Sequence, residues 1–370
     1  MGASMASKEE TSGFDRIRNI LNKKAGMTVA YNLEKENPTD VEEWISTGSR
    51  WLDGIICKGQ LAGVPVGKVT EVAGLESSGK SYLAAQVAAN AQKMGIQVVY
   101  FDSESALDSS FLNRAGCDLN GLIYTQAKSV EFVFDAIETL LKDTDDKYLF
   151  IWDSYAFTPC EAELEGGYNP RSDIALKARI SSLALSKLTQ VIANRDATLV
   201  VLNQLKTNIT TSIAEKYTDP WVTSGGKAFH YSFSLRIWLT GRKGKASFVY
   251  DDKGFRIGSE TGVKIKKSRF GTMGRTCQFK ILWGEDVKIR DEESWLDALK
   301  GSENLKSAGA WYTLVHEDGT EAKFQKTTWV EKLQDATFKG RVLQLMDLEV
   351  IQKFESREGE AARFYEEDAE

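Results

Sequence analysis

Short runs of apolar residues alternate with amphipathic segments along most of the chain. The runs at 96–101, 147–153 and 197–204 are apolar almost throughout and have the length of strands. Such runs are typical of strands that are buried on both faces of a parallel sheet. Segments with apolar residues at helical spacing separate them, the clearest being 80–94 and 174–193. This alternation predicts an α/β fold in which a mostly parallel central sheet is flanked by helices.

The pattern changes in the last third of the chain. Strand-like segments with Gly-containing turns between them predict an antiparallel extension of the sheet. Beyond them, short helical segments surround a hairpin-like stretch at 311–319, which predicts a small α+β C-terminal domain. The predicted parts are an N-terminal helix with a linker, a core, the small domain and an acidic tail, at 1–44, 45–285, 286–353 and 354–370.

The pattern Gly-x-x-x-x-Gly-Lys-Ser spans Gly74 to Ser81, between a short β-prone run and a helical segment. Gly74 and Gly79 can adopt backbone angles that let successive N–H groups surround a phosphate. The following helix directs its positive end at the same place. Lys80 would reach the β- and γ-phosphates, and Ser81 would bind Mg²⁺. The alternative is a Gly-rich turn before an ordinary helix, but the flanking strand and helix favour a phosphate-binding loop (P-loop).

Polar side chains follow the buried strand-like runs. Asp153 ends one run in the Walker B pattern and would hold Mg²⁺ through water, or it is an ordinary turn Asp. Glu104 follows another run, where it could activate the water that attacks a γ-phosphate or cap a helix. Asn203 and Gln204 end a third run, where they could sense the γ-phosphate.

Two polar segments predict functional loops. Residues 158–172 contain prolines and glycines that rule out a single helix or strand, and Tyr168 and Arg171 lie near the predicted tip of a mobile loop. About twenty residues, 205–226, lack clear periodicity and predict a second loop. Its hydroxyl, amide and lysine side chains suit sugar–phosphate contacts, although a solvated loop is the alternative.

Composition narrows the class of protein. The four cysteines lie far apart and only two histidines accompany them, which argues against a zinc site and favours a reducing compartment. No run of about 18 apolar residues exists, so no membrane span is expected. The net charge of −6 argues against indiscriminate nucleic-acid binding but allows a local basic groove. The acidic end, 355–370, either competes with DNA for basic segments such as 264–269 or serves solubility.

Taken together, these residues resemble the RecA family of DNA recombinases over roughly 45–350. The motifs that stand in the family's order and spacing are Ser46-Thr-Gly-Ser, Gly74-Leu-Glu-Ser-Ser-Gly-Lys-Ser81, Phe101-Asp-Ser-Glu-Ser-Ala-Leu-Asp108, Asp153-Ser-Tyr-Ala-Phe-Thr-Pro159, Leu202-Asn-Gln204, Gly225-Gly226-Lys-Ala, Gly258-Ser-Glu-Thr261 and Ala308-Gly-Ala-Trp-Tyr312. Several departures from the family's pattern indicate a divergent member, such as a phage recombinase of the UvsX kind.

The resemblance implies a RecA-like P-loop ATPase core and a DNA-dependent ATPase with ATP and Mg²⁺ as cofactors. Such a protein forms a helical homo-oligomeric filament on single-stranded DNA, through its N-terminal helix among other contacts, and exchanges strands with a homologous duplex. Single-strand-binding and loader proteins are the implied partners, and the cytoplasm of a bacterium or a phage-infected host is the implied location. A RecA-like hexameric DNA helicase or motor ATPase is the alternative function.

The resemblance also implies roles for individual residues. Glu104 would activate water, and Gln204 would couple the nucleotide to the second loop. Lys267 and Arg269 would reach the γ-phosphate of a neighbouring subunit, although Arg269 replaces a more usual lysine. The implied nucleotide-binding residues are Gly74, Ser77, Ser78, Gly79, Lys80, Ser81, Asp108, Phe111 and Asp153. The implied DNA-binding residues are Gly166, Gly167, Tyr168, Asn169, Arg171, Arg179, Lys206, Thr207, Asn208, Lys216, Gly225, Gly226 and Lys227.

Overall fold

The structure is a computed structural model of the 370-residue chain. It describes residues 13–26, 28–35, 37, 39–165, 176–209, 220–241, 247–283 and 288–352. The chain divides into two compact units, one up to Glu42 and one from Glu43 onward. No helix among the described residues is both long and apolar enough to cross a membrane.

The first unit contains helix α1, Gly13–Ala25, where the sequence predicts a helix at 14–24. The chain after the helix folds back onto its last turns. The Asn22 side-chain oxygen accepts hydrogen bonds from the backbone N–H groups of Val29 and Ala30, each at 2.8 Å. A single amide side chain therefore fixes the turn that follows α1.

The second unit is built on a large mixed sheet, as predicted. Its path runs β13-β12-β11-β9-β3-β7-β6-β4-β5, with β10 paired to β11 and β8 paired to β7. Strands from β9 to β5 along this path are parallel, and β11 to β13 form the antiparallel extension. The strands are β3 Val69–Gly74, β4 Gln97–Asp102, β5 Leu122–Gln126, β6 Tyr148–Asp153, β7 Thr198–Thr207, β8 Trp221–Thr223, β9 Leu235–Gly241, β10 Phe248–Tyr250, β11 Arg256–Ser268, β12 Thr276–Leu282 and β13 Lys288–Arg290; a separate short pair is β1 Trp44–Ile45 with β2 Val64–Pro65.

Helices cover both faces of this sheet, which explains the continuous apolar runs. Alternate residues of β4 belong to two different hydrophobic cores. Val98 and Tyr100 share one core with helix α3 (Lys80–Lys93), while Val99 and Phe101 share the other with helices α5 (Val130–Asp143) and α7 (Leu176–Asn194). Each strand therefore buries both of its faces. The helices of this region are α2 Arg50–Ile56, α3 Lys80–Lys93, α4 Ser109–Arg114, α5 Val130–Asp143, α6 Glu161–Glu165, α7 Leu176–Asn194 and α8 Gly226–Ser232.

A three-stranded antiparallel sheet lies near the C-terminal end of the described chain. Its strands are β14 Leu305–Ala308, β15 Trp311–Val315 and β16 Glu321–Gln325, and its helices are α9 Trp295–Ala298, α10 Trp329–Lys332 and α11 Ala336–Met346. The buried Asp291 carboxylate joins this region to the start of the core, because it accepts hydrogen bonds from the Ser49 hydroxyl, the Trp51 N–H and the Trp295 indole at 2.7–3.0 Å. The predicted α+β region is thus present, and the domain boundary at 285/286 stays a prediction.

The second predicted loop, 205–226, is shorter than expected. Strand β7 continues through Thr207, and Trp221–Thr223 returns beside it as β8, so that Thr207 pairs with Trp221 and Leu205 with Thr223. Helix α8 then begins at Gly226. The prediction of a loop was wrong for residues 205–207 and Trp221–Thr223, the two arms of the second loop, because antiparallel pairing between residues distant in sequence forms strands without clear local periodicity.

A buried ion pair crosses the middle of the sheet. Glu71 on β3 and Arg236 on β9 stand opposite each other in the parallel ladder, and Arg236 Nε lies 2.6 Å from Glu71 Oε2. Glu71 is fully buried and Arg236 nearly so. The Asn203 amide donates to the other carboxylate oxygen at 3.0 Å, and Arg236 also donates to the Thr223 hydroxyl at 2.8 Å. This network ties β8 to the centre of the sheet.

We expect Arg236→Met to destabilise the fold by about 3–5 kcal/mol, because Glu71 would remain buried without its counter-charge. Urea unfolding followed by circular dichroism measures the change. Adding Glu71→Gln should recover much of the loss, since the double variant buries no charge. Lys142→Met, which breaks an exposed pair with Glu138, serves as the control and should leave stability near that of the wild type. Equal stability of Arg236→Met and this control would contradict the prediction.

Candidate functional site

The turn between β3 and α3 forms a phosphate-sized cradle. Gly79 precedes α3 in the left-handed region, with φ +95°, and a Cβ there would lie 2.1 Å from Ile281 Cδ1. A Cβ on Gly74 would lie 2.2 Å from the Ser78 hydroxyl. Close approach to Ser78 and to the Leu239 carbonyl therefore favours glycine at position 74, whereas the left-handed backbone angle requires it at position 79.

The polar groups of this cradle fit a phosphate ligand. The Ser78 hydroxyl is buried and has no hydrogen-bond partner within the described part of the chain. The Thr261 hydroxyl donates a hydrogen bond to the Ser78 carbonyl at 3.1 Å. Lys80 Nζ lies 3.1 Å from the Leu75 carbonyl, at the mouth of the turn. Burial lowers the pKa of Lys80, although the nearby carboxylates of Asp153 and Glu104 oppose that shift. An anion beside Lys80 would stabilise its charged form.

A cavity of about 550 Å³ opens in front of the cradle. It collects side chains from the ends of four strands and from the segment after β4. Its lining includes Ser77, Lys80, Ser81, Glu104, Asp108, Phe111, Asp153 and Gln204. Eight residues singled out from the sequence therefore share one cavity, although they span about 130 positions of the chain.

Asp153 and Ser81 lie side by side at the base of this cavity. The Ser81 hydroxyl donates to Asp153 Oδ2 at 2.9 Å, and the buried Tyr100 hydroxyl donates to the same oxygen at 2.7 Å. Burial raises the pKa of Asp153, and these two hydrogen bonds act in the opposite direction. A hydroxyl and a carboxylate suit Mg²⁺, which takes most of its other ligands from phosphates and water. Accordingly, the described residues contain no group of three or more acidic, His or Cys side chains placed to hold a metal.

Glu104 also lines this cavity, where it is held by a partner that was not predicted from the sequence. Ser154, directly after Asp153, donates its hydroxyl to Glu104 Oε1 at 2.9 Å. Asp102 shapes the turn that carries Glu104 by accepting its backbone N–H at 2.9 Å. The alternative of a helix cap is wrong for Glu104, because Asp108 caps α4 instead, accepting the Ser110 N–H at 2.9 Å. Phe111 lies in the same helix, and its ring packs edge-on against Tyr82 at 4.7 Å.

A second cavity, of about 480 Å³, lies on the other side of the P-loop and was not predicted. Tyr82, Arg256, Ile281 and Trp283 line it together with the cradle. The Arg256 guanidinium stacks over the rings of Phe248, at 3.6 Å, and Trp283, at 4.9 Å. Tyr82 directly follows the P-loop motif, whereas no linear motif marks Arg256, Ile281 and Trp283, which the pairing of β11 with β12 brings to the P-loop.

Lys267 and Arg269 line neither of these two cavities in the single chain. Lys267 Nζ donates to the carbonyls of His230 and Tyr231, at 3.2 and 2.9 Å, and Arg269 donates to the Tyr231 carbonyl at 3.2 Å. Both cations therefore bind the C-terminal end of α8, where positive charge is favourable. Burial, and next the charges of Arg269 and Arg236, lower the pKa of Lys267 to about 8.

The predicted DNA-binding residues are only partly described. Gly166, Gly167, Tyr168, Asn169, Arg171 and Lys216 lie outside the described residues. Arg179 is exposed on α7; Lys206 and Thr207 are exposed at the end of β7, with half-buried Asn208 after them; and Gly226 and Lys227 are exposed at the start of α8. Gly225 has φ +112°, and a Cβ there would lie 2.2 Å from the Phe229 ring. Packing against Phe229 thus requires this glycine.

The fold and the cradle define a P-loop ATPase, and comparisons with known proteins identify its family. Residues 14–288 match the RecA N-terminal domain family. The chain is 33% identical to Protein RecA of Chlorobaculum tepidum over 326 residues, which cover 88% of each chain. It is 31% identical to Protein RecA of Mannheimia haemolytica, covering 84% of this chain and 80% of that one, and 35% identical to Protein RecA of Chlorobium chlorochromatii, covering 78% and 76%.

The chain therefore belongs to the RecA family. It is a RecA-type DNA recombinase and an ATPase, as the resemblance of its motifs predicts. The phage subtype is not tested by these relatives and stays a prediction.

We expect Gly79→Ala to weaken ATP binding at least about tenfold, because the new methyl group meets Ile281 and the left-handed backbone is strained by roughly 1 kcal/mol or more. Titration with a fluorescent ATP analogue measures the affinity. Gly95→Ala is the matched control, since Gly95 also has a positive φ (+76°) but faces open space at the far end of α3. The control should lose some thermal stability and keep its ATP affinity; equal affinities of both variants would refute the role of the cradle.

Proposed function

We propose that the chain binds ATP with Mg²⁺ in the 550 Å³ cavity, polymerises on single-stranded DNA as a helical filament and uses hydrolysis to release it. The observation that carries this proposal is the convergence of Lys80, Ser81, Glu104, Asp153 and Gln204 on one cavity. These side chains supply a phosphate-binding cation, a metal-binding pair, a base and a sensor of the terminal phosphate.

In this mechanism the P-loop amides and Lys80 hold the β- and γ-phosphates. Ser81 would hold Mg²⁺ through its hydroxyl and Asp153 would hold it through water, so that the ion would neutralise charge on the phosphates. Glu104 orients the attacking water and accepts its proton, and the hydrogen bond from Ser154 keeps the carboxylate on the cavity wall. The second cavity, with Tyr82 and Trp283, offers aromatic surface for the base of the nucleotide, beside the predicted contacts from Asp108 and Phe111.

In the proposed filament, each nucleotide lies at the interface between two subunits. Lys267 and Arg269 do not face the P-loop of their own chain, which supports a role across the subunit interface. There they stabilise the charge on the γ-phosphate, as an arginine finger does. Gln204 links the same phosphate to the second loop. The first arm of this loop directly follows Gln204 in β7, and β8 pairs with that arm.

DNA lies along the predicted loops and is held mainly through its backbone. The exposed Arg179, Lys206 and Lys227 provide charge for phosphate contacts. Homology is tested by base pairing with a duplex, so the protein itself need not read sequence. We also propose single-strand-binding and loader proteins as partners and the cytoplasm of a bacterium or phage-infected host as the location. Two departures from the family's pattern support a divergent member, for which we propose a phage-type recombinase: Arg269 in place of lysine, and a first loop that reads Gly-Gly-Tyr-Asn-Pro-Arg at 166–171.

We expect Glu104→Gln to lower the DNA-stimulated ATPase rate by about 10²–10⁴-fold, because the amide cannot accept the proton of the attacking water. ATP affinity should change little, so the variant should accumulate stable filaments on single-stranded DNA in negative-stain micrographs. Glu76→Gln is the control, since Glu76 lines the same cavity but lies in the P-loop turn. Wild-type turnover in Glu104→Gln would remove the proposed base, and closed rings in place of open filaments would favour a hexameric motor.

We expect Lys267→Ala combined with Arg269→Ala to keep ATP binding and to lower DNA-stimulated turnover by up to about 10³-fold, because the γ-phosphate loses its second-subunit cations. Steady-state ATPase with single-stranded DNA measures the effect. Lys253→Ala with Lys332→Ala removes the same charge from exposed positions elsewhere and should retain turnover. Thermal unfolding is recorded in parallel, since both cations also bind α8. Unchanged turnover in the first variant would exclude the trans-acting cations.

A further inference from the structure

Tyr155 lies two residues after Asp153 and connects the segment that follows β6 to β7, α7 and α8. It is fully buried, and its backbone N–H donates to the Leu202 carbonyl of β7 at 3.0 Å, two residues before Gln204. Its carbonyl accepts a hydrogen bond from Lys177 Nζ of α7 at 2.5 Å. The main chain of one residue thus joins the Walker B segment to the sensor strand and to α7.

The Tyr155 side chain is fixed from α7 as well. Lys177 Nζ lies 4.5 Å from the ring centroid and also donates to the Ala156 carbonyl at 3.2 Å. The Ser181 and Tyr155 hydroxyls are hydrogen-bonded at 3.1 Å. Helix α7 begins at Leu176, directly after the segment that carries most of the first loop's predicted DNA contacts. Any change at Tyr155 therefore acts on the first turns of that helix.

Helix α8 meets the same ring through Phe229. The two rings stack with centroids 4.4 Å apart and an interplanar angle of 22°, and both residues are fully buried. Phe229 in turn packs so closely on Gly225 that no side chain fits there. Gly225 lies in the C-terminal arm of the second loop, so the stack reaches both predicted DNA loops through the helices that follow them.

We propose that Tyr155, held between Lys177 and Phe229, is a positioning residue that couples the nucleotide site to both DNA loops. The inference rests on the proposed function. Its physical basis is close packing. Tyr155 is fully buried and contacts β7 through its main chain, α7 through its hydroxyl and its ring, and α8 through its ring, so it cannot move without moving them. Neither loop needs to touch the nucleotide, because the segment after Asp153 carries the displacement.

The charge of Lys177 distinguishes this junction from ordinary core packing. Burial lowers the pKa of Lys177 to about 8, whereas Glu163 and Cys160 raise it and Lys206 lowers it further. Two carbonyls and an aromatic face bind this half-buried ammonium group. An apolar side chain of the same length would fill the space without these directional contacts.

The test uses Lys177→Met, which keeps length and removes the ammonium, and Phe229→Leu, which removes the stack from the other side. We expect each variant to keep the DNA-independent ATPase rate and the KM for ATP within about twofold. The stimulation of kcat by single-stranded DNA should fall at least about fivefold, the lower end of typical coupling between sites. Lys187→Met, an exposed lysine on the same helix, is the matched control and should keep full stimulation.

The double variant separates coupling from general loosening of the core. If both residues act through Tyr155, the losses in DNA stimulation should not add, because either change already breaks the connection. Additive losses, undiminished stimulation, or equal losses of basal rate, ATP affinity and stimulation would each overturn the inference. A wild-type protein whose ATPase ignores DNA would instead overturn the proposed function, and the inference with it.

Discussion

The register of the parallel strands is the constraint on which the site depends. In the ladder between β3 and β7, Gly74 stands opposite Gln204, and in the ladder between β4 and β6, Asp102 stands opposite Asp153. Parallel strands end at the same edge of a sheet, so these pairs bring together the P-loop, the predicted sensor Gln204, the predicted metal-binding Asp153 and the turn that carries Glu104. A shift by one residue would turn every one of these side chains to the other face.

Much of this arrangement could be predicted because its signals are local. The apolar runs that become β4, β6 and β7 bury both faces, and the glycine pattern of the P-loop fits only a few backbone conformations. What could not be predicted depends on contacts between distant segments. Ser154 directly follows Asp153, but its role has no local signal, since only the fold brings its hydroxyl to Glu104. Arg256 lies beside the P-loop because β11 pairs with β12 and because Thr261 of β11 donates to the Ser78 carbonyl. The two arms of the second loop form strands by pairing with each other rather than through their own periodicity.

The segment from β8 to the end of α8 is held from three directions by contacts that differ in kind. Arg236 binds Thr223 through a hydrogen bond, Tyr155 binds Phe229 through ring stacking, and Lys267 binds the carbonyls of His230 and Tyr231. The first contact comes from β9, whose Arg236 is paired with Glu71 of the P-loop strand β3. The second comes from the segment after Asp153, and the third comes from residues that are predicted to lie at the subunit interface. Each part of the nucleotide site therefore has its own connection to the segment that follows the second loop.

The Arg236 connection is charged although it is buried, and this has an energetic consequence. Moving an ion into the core costs several kcal/mol that its partners only roughly offset, so a buried pair stabilises one geometry more than it stabilises the fold as a whole. An apolar contact would tolerate small displacements, whereas the Arg236–Glu71–Asn203 network and the Lys177–carbonyl contacts lose their hydrogen bonds when donors and acceptors separate. Such contacts favour one position of the segment over a continuous range of positions. For the proposed coupling between the P-loop and the predicted DNA-binding loops, this predicts a change between discrete positions rather than gradual loosening.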